Sequence, residues 1–377
     1  MQVEELRRRL PNAALAFRGY NVTNLGRTAE LLEDARYSGI MEEALQEASR
    51  WCREAVGRPV DLVRRVRQGQ ETTLECYDEA VALVVGTSIG QLRALAEVWK
   101  VDYRRARLAF GYSLGELSAL IACGLLPAAE GLRIPIGLAA DSVALAHDAR
   151  LAVVFSKTDV VAERDVQRLC QQINLEGNGT IGISAILTPN TLLVIGQGQT
   201  VARFRELAAA ALGPKVMVHE NRHRWPPLHT PIVWQRCIAD RAAHQMLRMP
   251  VLAPAPKPPV LSLVTGQVSY EDYNCREILH RWVDHPQRLW DAVYQILALG
   301  IELVIHVGPQ PNIIPATLQR LADNVRQQTA ASLGMRALSH MVRRPWLHAI
   351  LPRRASLLRA PLIEQITLED WLLAQPR

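Results

Sequence analysis

The 377-residue chain lacks the marks of a metalloprotein, a disulfide scaffold or a membrane protein. Its six cysteines (Cys52, Cys76, Cys123, Cys170, Cys237 and Cys275) are scattered, with no CxxC pair and no Cys/His spacing of a zinc site. No bound metal is therefore expected, and the cysteines read as reduced thiols of a cytoplasmic protein. The N-terminus, MQVEELRRRLPNA, is charged from the start and has no apolar signal-peptide core. The longest uncharged run, residues 177–202, is broken by Asn178, Pro189, Asn190, Gln197 and Gln199, so it cannot cross a bilayer as a helix and no membrane span is expected. Lysine is scarce, with four among the 43 basic residues. The net charge of +6 is mild: it suits an acidic partner surface but lacks the dense patch that nucleic-acid binding needs. There is no repeat, low-complexity segment or phosphate-cradling glycine loop.

What is present is an ordinary globular composition, 49% hydrophobic and 21% charged, with a length that suits about two domains. Ala14-Leu15-Ala16-Phe17 reads as a buried strand that runs into a loop at Arg18-Gly19. Residues 24–48 and 80–99 carry helical apolar spacing. Arg107-Leu108-Ala109-Phe110 reads as a second strand, followed by a tight turn and an apolar helix over residues 117–126. This alternation predicts an α/β fold with a parallel sheet. From residue 149 the texture changes to β-α-β-β-α-β, the ferredoxin-like order. The expected division is a large subdomain over 1–148 and 213–325, a small ferredoxin-like subdomain over 149–212, and a basic extension over 326–377.

Gly111-Tyr112-Ser113-Leu114-Gly115 is a GxSxG motif between a strand and a helix. Small residues on both sides let the chain turn sharply, with the serine oxygen exposed at the tip and the helix N-terminus facing developing negative charge. A second GxSxG, Gly86-Thr87-Ser88-Ile89-Gly90, reads instead as close packing within a buried helix. A serine nucleophile needs a base. Among ten histidines, His229 in Leu228-His229-Thr230-Pro231 is barely ahead of His223 and His306 on spacing alone.

Together these residues resemble the acyl-CoA:acyl-carrier-protein transacylases, the malonyl transacylases and the acyltransferase domains of polyketide synthases. Gly111-Tyr112-Ser113-Leu114-Gly115-Glu116 is similar to the family's GHSLGE. Leu228-His229-Thr230-Pro231 resembles the motif of the catalytic histidine, Ser262-Leu263-Val264-Thr265-Gly266 the SNVTG motif, and Val307-Gly308-Pro309-Gln310-Pro311 the VGPxP strand end. Phe17-Arg18-Gly19-Tyr20 falls where the family has FPGQ. The likeness covers most of residues 13–325. It implies an α/β-hydrolase-like core with an inserted ferredoxin-like subdomain and a Ser113–His229 dyad whose imidazole is held by a main-chain carbonyl near Trp282. It also implies an oxyanion hole from the amides of Tyr20 and Leu114, and ping-pong transfer from acyl-CoA to the phosphopantetheine of an acyl carrier protein. No bound cofactor is implied. A polyketide or fatty acid synthase is the implied setting.

The sequence departs from the malonyl-type pattern at the acyl pocket. The family's carboxylate-binding arginine lies 25 residues after the nucleophile, and that position here is Leu138. Arg133, five residues earlier, matches a different family arginine. The usually Asn-rich side loop is Ala185-Ile186-Leu187, and Tyr112 stands where the family has histidine. Tyr112, Leu138, Ile186, Leu187 and Leu228 are thus the expected acyl-pocket residues, and the expected acyl group is a starter-type group without a carboxylate. A thioester hydrolase shares the same motifs, whereas a catalytically silent synthase-binding scaffold would need Ser113 or His229 disabled, and both are present. The arginines of the extension (Arg336, Arg343, Arg344, Arg353, Arg354 and Arg359) read either as a carrier-protein docking face or as a solvated tail over the core.

Overall fold

The computed structural model describes residues 1–331 and 353–376. Its strands are β1 (Ala13–Phe17), β2 (Leu108–Gly111), β3 (Ala149–Ser156), β4 (Ile181–Thr188), β5 (Thr191–Gln197), β6 (Val216–Glu220), β7 (Val260–Ser262), β8 (Gln267–Val268), β9 (Gln287–Arg288), β10 (Leu303–Val307) and β11 (Glu364–Thr367). The large sheet has the order β11-β10-β1-β2-β7-β8 and is parallel except at the β7–β8 hairpin. All five residues of β1 are buried, as expected of a parallel strand covered on both faces. The helix Tyr77–Glu97 is buried on nearly every side. It packs on the helix Ser38–Val56 through small residues: a Cβ added at Gly86 would sit 2.7 Å from the Ala48 methyl. The stretch Leu74–Glu97 is the one described segment long and apolar enough to cross a membrane, and 83% of its apolar window is buried within the fold.

The small sheet runs β6-β3-β5-β4, antiparallel throughout, and β9 joins the β4 edge in parallel. Strand alternation divides its faces. Ala152, Val154, Leu192 and Val194 pack under the helices Glu163–Leu175 and Thr200–Leu212 with Val166, Leu169 and Phe204. Leu151, Val153, Leu193 and Ile195 face the large subdomain across a cavity.

Two expected boundaries are corrected. The small subdomain does not end at residue 212, because β6 pairs with β3 from Val216 to Ser156 through Glu220 to Ala152. Nor is 326–377 an appended extension. Position 325 falls inside the helix Ile313–Ala331, and β11 adds a parallel edge strand to β10. The terminal helix Leu368–Ala374 buries Leu368 and Leu372 in the large core, and Tyr37 donates its hydroxyl to the Leu372 carbonyl at 2.8 Å. Of the arginines read as a docking face, Arg336, Arg343 and Arg344 lie outside the described residues, as do the side chains of Arg353 and Arg354. Arg359 is turned inward and donates to the Gly300 carbonyl at 3.2 Å.

Candidate active site

The turn after β2 is forced by its glycines. A Cβ at Gly111 would meet Gly115 backbone carbon at 2.1 Å, and one at Gly115 would meet the Phe17 carbonyl oxygen at 2.2 Å. Ser113 therefore takes an unusual backbone, φ 54° and ψ −118°, immediately before the helix Leu114–Ala122. This is the strained strand-to-helix elbow that lifts a nucleophile out of the sheet. Ser88 is different: it sits inside the core helix and donates to the Val84 carbonyl at 2.7 Å.

Ser113 Oγ lies 2.7 Å from His229 Nε2. The other ring nitrogen, Nδ1, donates to the main-chain carbonyl of Trp282 at 2.6 Å, which leaves Nε2 as the acceptor for the serine proton. His229 is itself held in the left-handed region at φ 67°. Burial lowers its pKa to about 4, against opposing pulls from the Trp282 carbonyl and from Asp284. It is thus a neutral base at neutral pH. His223 lies at the cavity wall with an exposed side chain. His306 is enclosed in β10 and bonds Gln365 at 2.9 Å.

The chain at Gly19 approaches the nucleophile turn closely: an added Cβ would lie 2.5 Å from the Tyr112 carbonyl oxygen and 3.4 Å from the Ser113 Cβ. This sets Tyr20 beside Ser113. Among the described residues, neither the Tyr20 amide nor the Leu114 amide has a hydrogen-bond partner. The indole of Trp282 and the side chain of Gln287, which the motifs did not point to, complete the cluster. The Trp282 indole donates to the Ser113 carbonyl at 3.0 Å. Gln287, fully buried, accepts from the Ser113 amide at 2.9 Å, and its Nε2 lies 3.4 Å from His229 Nδ1.

The dyad opens on a cavity of about 440 Å³ between the subdomains. Of the expected pocket residues, Tyr112, Leu187 and Leu228 line it, and Leu138 and Ile186 do not. Leu138 joins the helix Ala128–Gly137, which contains Pro135, to the helix Ala139–Ala146, and its side chain is packed in the large core. The register of β4 slips between Ile183 and Ala185. The slip flips the alternation, so Ile186 joins Ile181 and Ile183 under the small-subdomain helices while Leu187 joins Ser184 at the cavity. Neither correction brings in a cation: no Arg, Lys, Asp or Glu lines the cavity among the described residues. Arg133 is half-exposed and pairs with Glu130 at 3.0 Å.

No protein-family model matches the chain. The malonyl CoA-acyl carrier protein transacylase of Salmonella typhimurium is 24% identical over 333 residues, 85% of this chain and 95% of that protein. Polyketide synthase GfsA of Streptomyces halstedii is 23% identical over 200 residues, 53% of this chain; the match spans only 2% of that protein. Among solved structures, FabD from Acinetobacter baumannii superposes with a TM-score of 0.69 at 18% identity, covering 97% of this chain and 98% of its own. The relatives and structural neighbours are thus transacylases and a polyketide synthase, as the motifs suggested, and the chain has the fold of the malonyl transacylases.

Proposed function

We propose that this protein is an acyltransferase that moves an uncharged acyl group from coenzyme A to the phosphopantetheine thiol of an acyl carrier protein through an acyl-Ser113 intermediate. The observation that carries the reading is the Ser113–His229 contact at 2.7 Å, opening on a cavity that no Arg or Lys lines among the described residues. His229 Nε2 takes the Ser113 proton as Oγ attacks the thioester carbonyl. The Tyr20 and Leu114 amides receive the oxyanion. The C–S bond breaks, and the imidazolium returns its proton to the departing thiolate. A carrier-protein thiol then reverses these steps and takes the acyl group from Ser113. A second cavity, about 1020 Å³, shares Leu187 with the first, and its lining mixes Lys157 and Arg320 with Asp159.

A malonyl carboxylate in this cavity would be desolvated without a partner, at a cost of several kcal/mol. That predicts at least a roughly hundredfold preference for alkyl over malonyl thioesters. Intact-mass kinetics with acetyl-, propionyl-, hexanoyl- and malonyl-CoA, followed by a holo carrier protein, test it. The expected result is an alkyl adduct on Ser113 that passes to the carrier. Equal or better loading by malonyl-CoA overturns the uncharged substrate, and release of free acid in place of transfer makes the protein a hydrolase.

A further inference from the structure

The cavity wall contains an aromatic corner that the acyl-transfer steps do not use. Tyr77, at the start of the helix Tyr77–Glu97, meets Tyr20 edge-to-face with centroids 4.8 Å apart, and Tyr20 meets Trp225 in the same manner at 6.0 Å. All three line the cavity. Trp225 is fixed from behind, its indole donating to Asn221 Oδ1 at 3.3 Å. Its polar atom is therefore satisfied within the protein.

Tyr77 differs from Trp225. It is only 4% exposed, yet its hydroxyl has no hydrogen-bond partner among the described residues. Buried phenols ordinarily find one. The oxygen is not among the sealed, unpartnered polar atoms of the core, and the space this residue lines is the acyl cavity. The Tyr20 hydroxyl, on the same cavity wall, likewise has no partner among the described residues.

We infer that the acyl group carried by Ser113 bears an uncharged hydrogen-bonding oxygen, a hydroxyl or keto group on its chain, and that Tyr77 recognises it within the Tyr20–Tyr77–Trp225 corner. This rests on the acyl-transfer reading and narrows its substrate class. A wholly hydrocarbon chain would cover the Tyr77 hydroxyl and leave it unpaired, which a site selects against. A carboxylate would need a cation, and no Arg or Lys lines the cavity among the described residues. An alcohol or ketone meets both conditions. Burial keeps the phenol protonated, raising its pKa well above the ordinary tyrosine value, so it can donate to a keto oxygen and either donate to or accept from a hydroxyl.

The test is kcat/KM for acylation of Ser113 by 3-hydroxybutanoyl-CoA, acetoacetyl-CoA and butanoyl-CoA, in the wild type and in Tyr77→Phe. The variant keeps the ring and its packing on Tyr20, and its thermal midpoint is recorded alongside. At least one oxygenated chain is expected to exceed butanoyl by roughly tenfold in the wild type, the discrimination of one buried hydrogen bond. In Tyr77→Phe that ratio should fall toward one. A wild type that uses butanoyl as well as either oxygenated chain, or a preference that survives in Tyr77→Phe, overturns the inference while acyl transfer stands. No adduct on Ser113 with any of the three thioesters overturns the acyl-transfer reading, and this inference with it.

Discussion

Trp282 grips both members of the dyad: its indole Nε1 donates to the Ser113 carbonyl at 3.0 Å while its own carbonyl accepts from His229 Nδ1 at 2.6 Å. The ring also stands edge-to-face on the imidazole, with centroids 5.2 Å apart. The two sides of this grip separate by mutation. Trp282→Phe keeps the main-chain carbonyl and an aromatic ring but loses the N–H. One neutral hydrogen bond contributes about 1 kcal/mol, so kcat for acylation should fall roughly fivefold to tenfold with KM little changed. A rise in KM at constant kcat would show that the indole shapes substrate binding instead.

The base has an unusual pH range. With the His229 pKa lowered to about 4, the imidazole stays neutral far below the ordinary histidine range. The acylation rate should therefore hold level from neutral pH to about pH 5 and fall through the folded pKa below that. Gln287 offers the reverse manipulation, because its Nε2 lies 3.4 Å from Nδ1. Gln287→Glu places a carboxylate there, favours the imidazolium and raises the pKa, so the acid limb should move up by about one unit or more. It keeps an oxygen to accept from the Ser113 amide. An unmoved limb, or a wild-type limb already near 6.5, would refute this account of the base.

Glu116 is a second buried ionisable group beneath the nucleophile. Its Oε1 accepts from the Tyr270 hydroxyl at 2.8 Å, and the Leu263 amide donates to its carboxyl at 3.2 Å. Burial nevertheless pushes its pKa up to about 7, from 4.5. A raised folded pKa means that the stabilising contribution is present below the unfolded value and is lost as pH rises through the folded one. His229 and His306, both lowered to about 4, act in the opposite sense, costing stability as pH falls from 6.5 through 4. They are shared by wild type and variant and cancel in the comparison. Glu116→Gln should gain stability relative to the wild type by about 3 kcal/mol between pH 4 and pH 8. Urea midpoints at the two pH values measure it, and a pH-independent difference would mean that the carboxyl titrates normally.

The parts of this site that could be read from the sequence are those the chain builds locally. Gly111 through Glu116 encode their own turn, and the strand–turn–helix alternation gave the parallel sheet, because both depend on neighbouring residues. Tyr77 and Gln287 carry no local signal: one looks like the start of an apolar helix and the other like part of a polar loop, and only the tertiary fold brings them to Ser113. Leu138 misled because its place rests on the family's residue count alone, while Pro135 and the junction at Leu138 redirect the chain. Leu187 lines the cavity as expected, while the slip of register between Ile183 and Ala185 turns Ile186 to the opposite face. Polar Glu364–Thr367 gave little sign of a strand, yet it pairs along β10.

That last segment supports the site from a distance. Glu369, 3% exposed on the terminal helix, accepts from the Gln310 amide at 2.8 Å and from the Arg27 amide at 3.0 Å. It thereby joins two loops that flank the cavity: the one after β10, which supplies Asn312, and the one after β1, which supplies Tyr20 and Asn21. Arg18 fastens the same loops from inside, donating to the Thr23 and Pro309 carbonyls and to Asn24 Oδ1. Glu369→Ala would leave two part-buried amides without their acceptor, at about 1 kcal/mol each. The urea midpoint should fall accordingly, and kcat/KM for acylation should fall with it as the Tyr20 loop loosens against Ser113. Glu369→Gln retains one side-chain acceptor and should recover part of both losses. If Glu369→Ala is as stable as the wild type, the terminal helix does not hold these loops. If stability falls but kcat/KM is kept, Tyr20 is positioned by the Arg18 contacts alone.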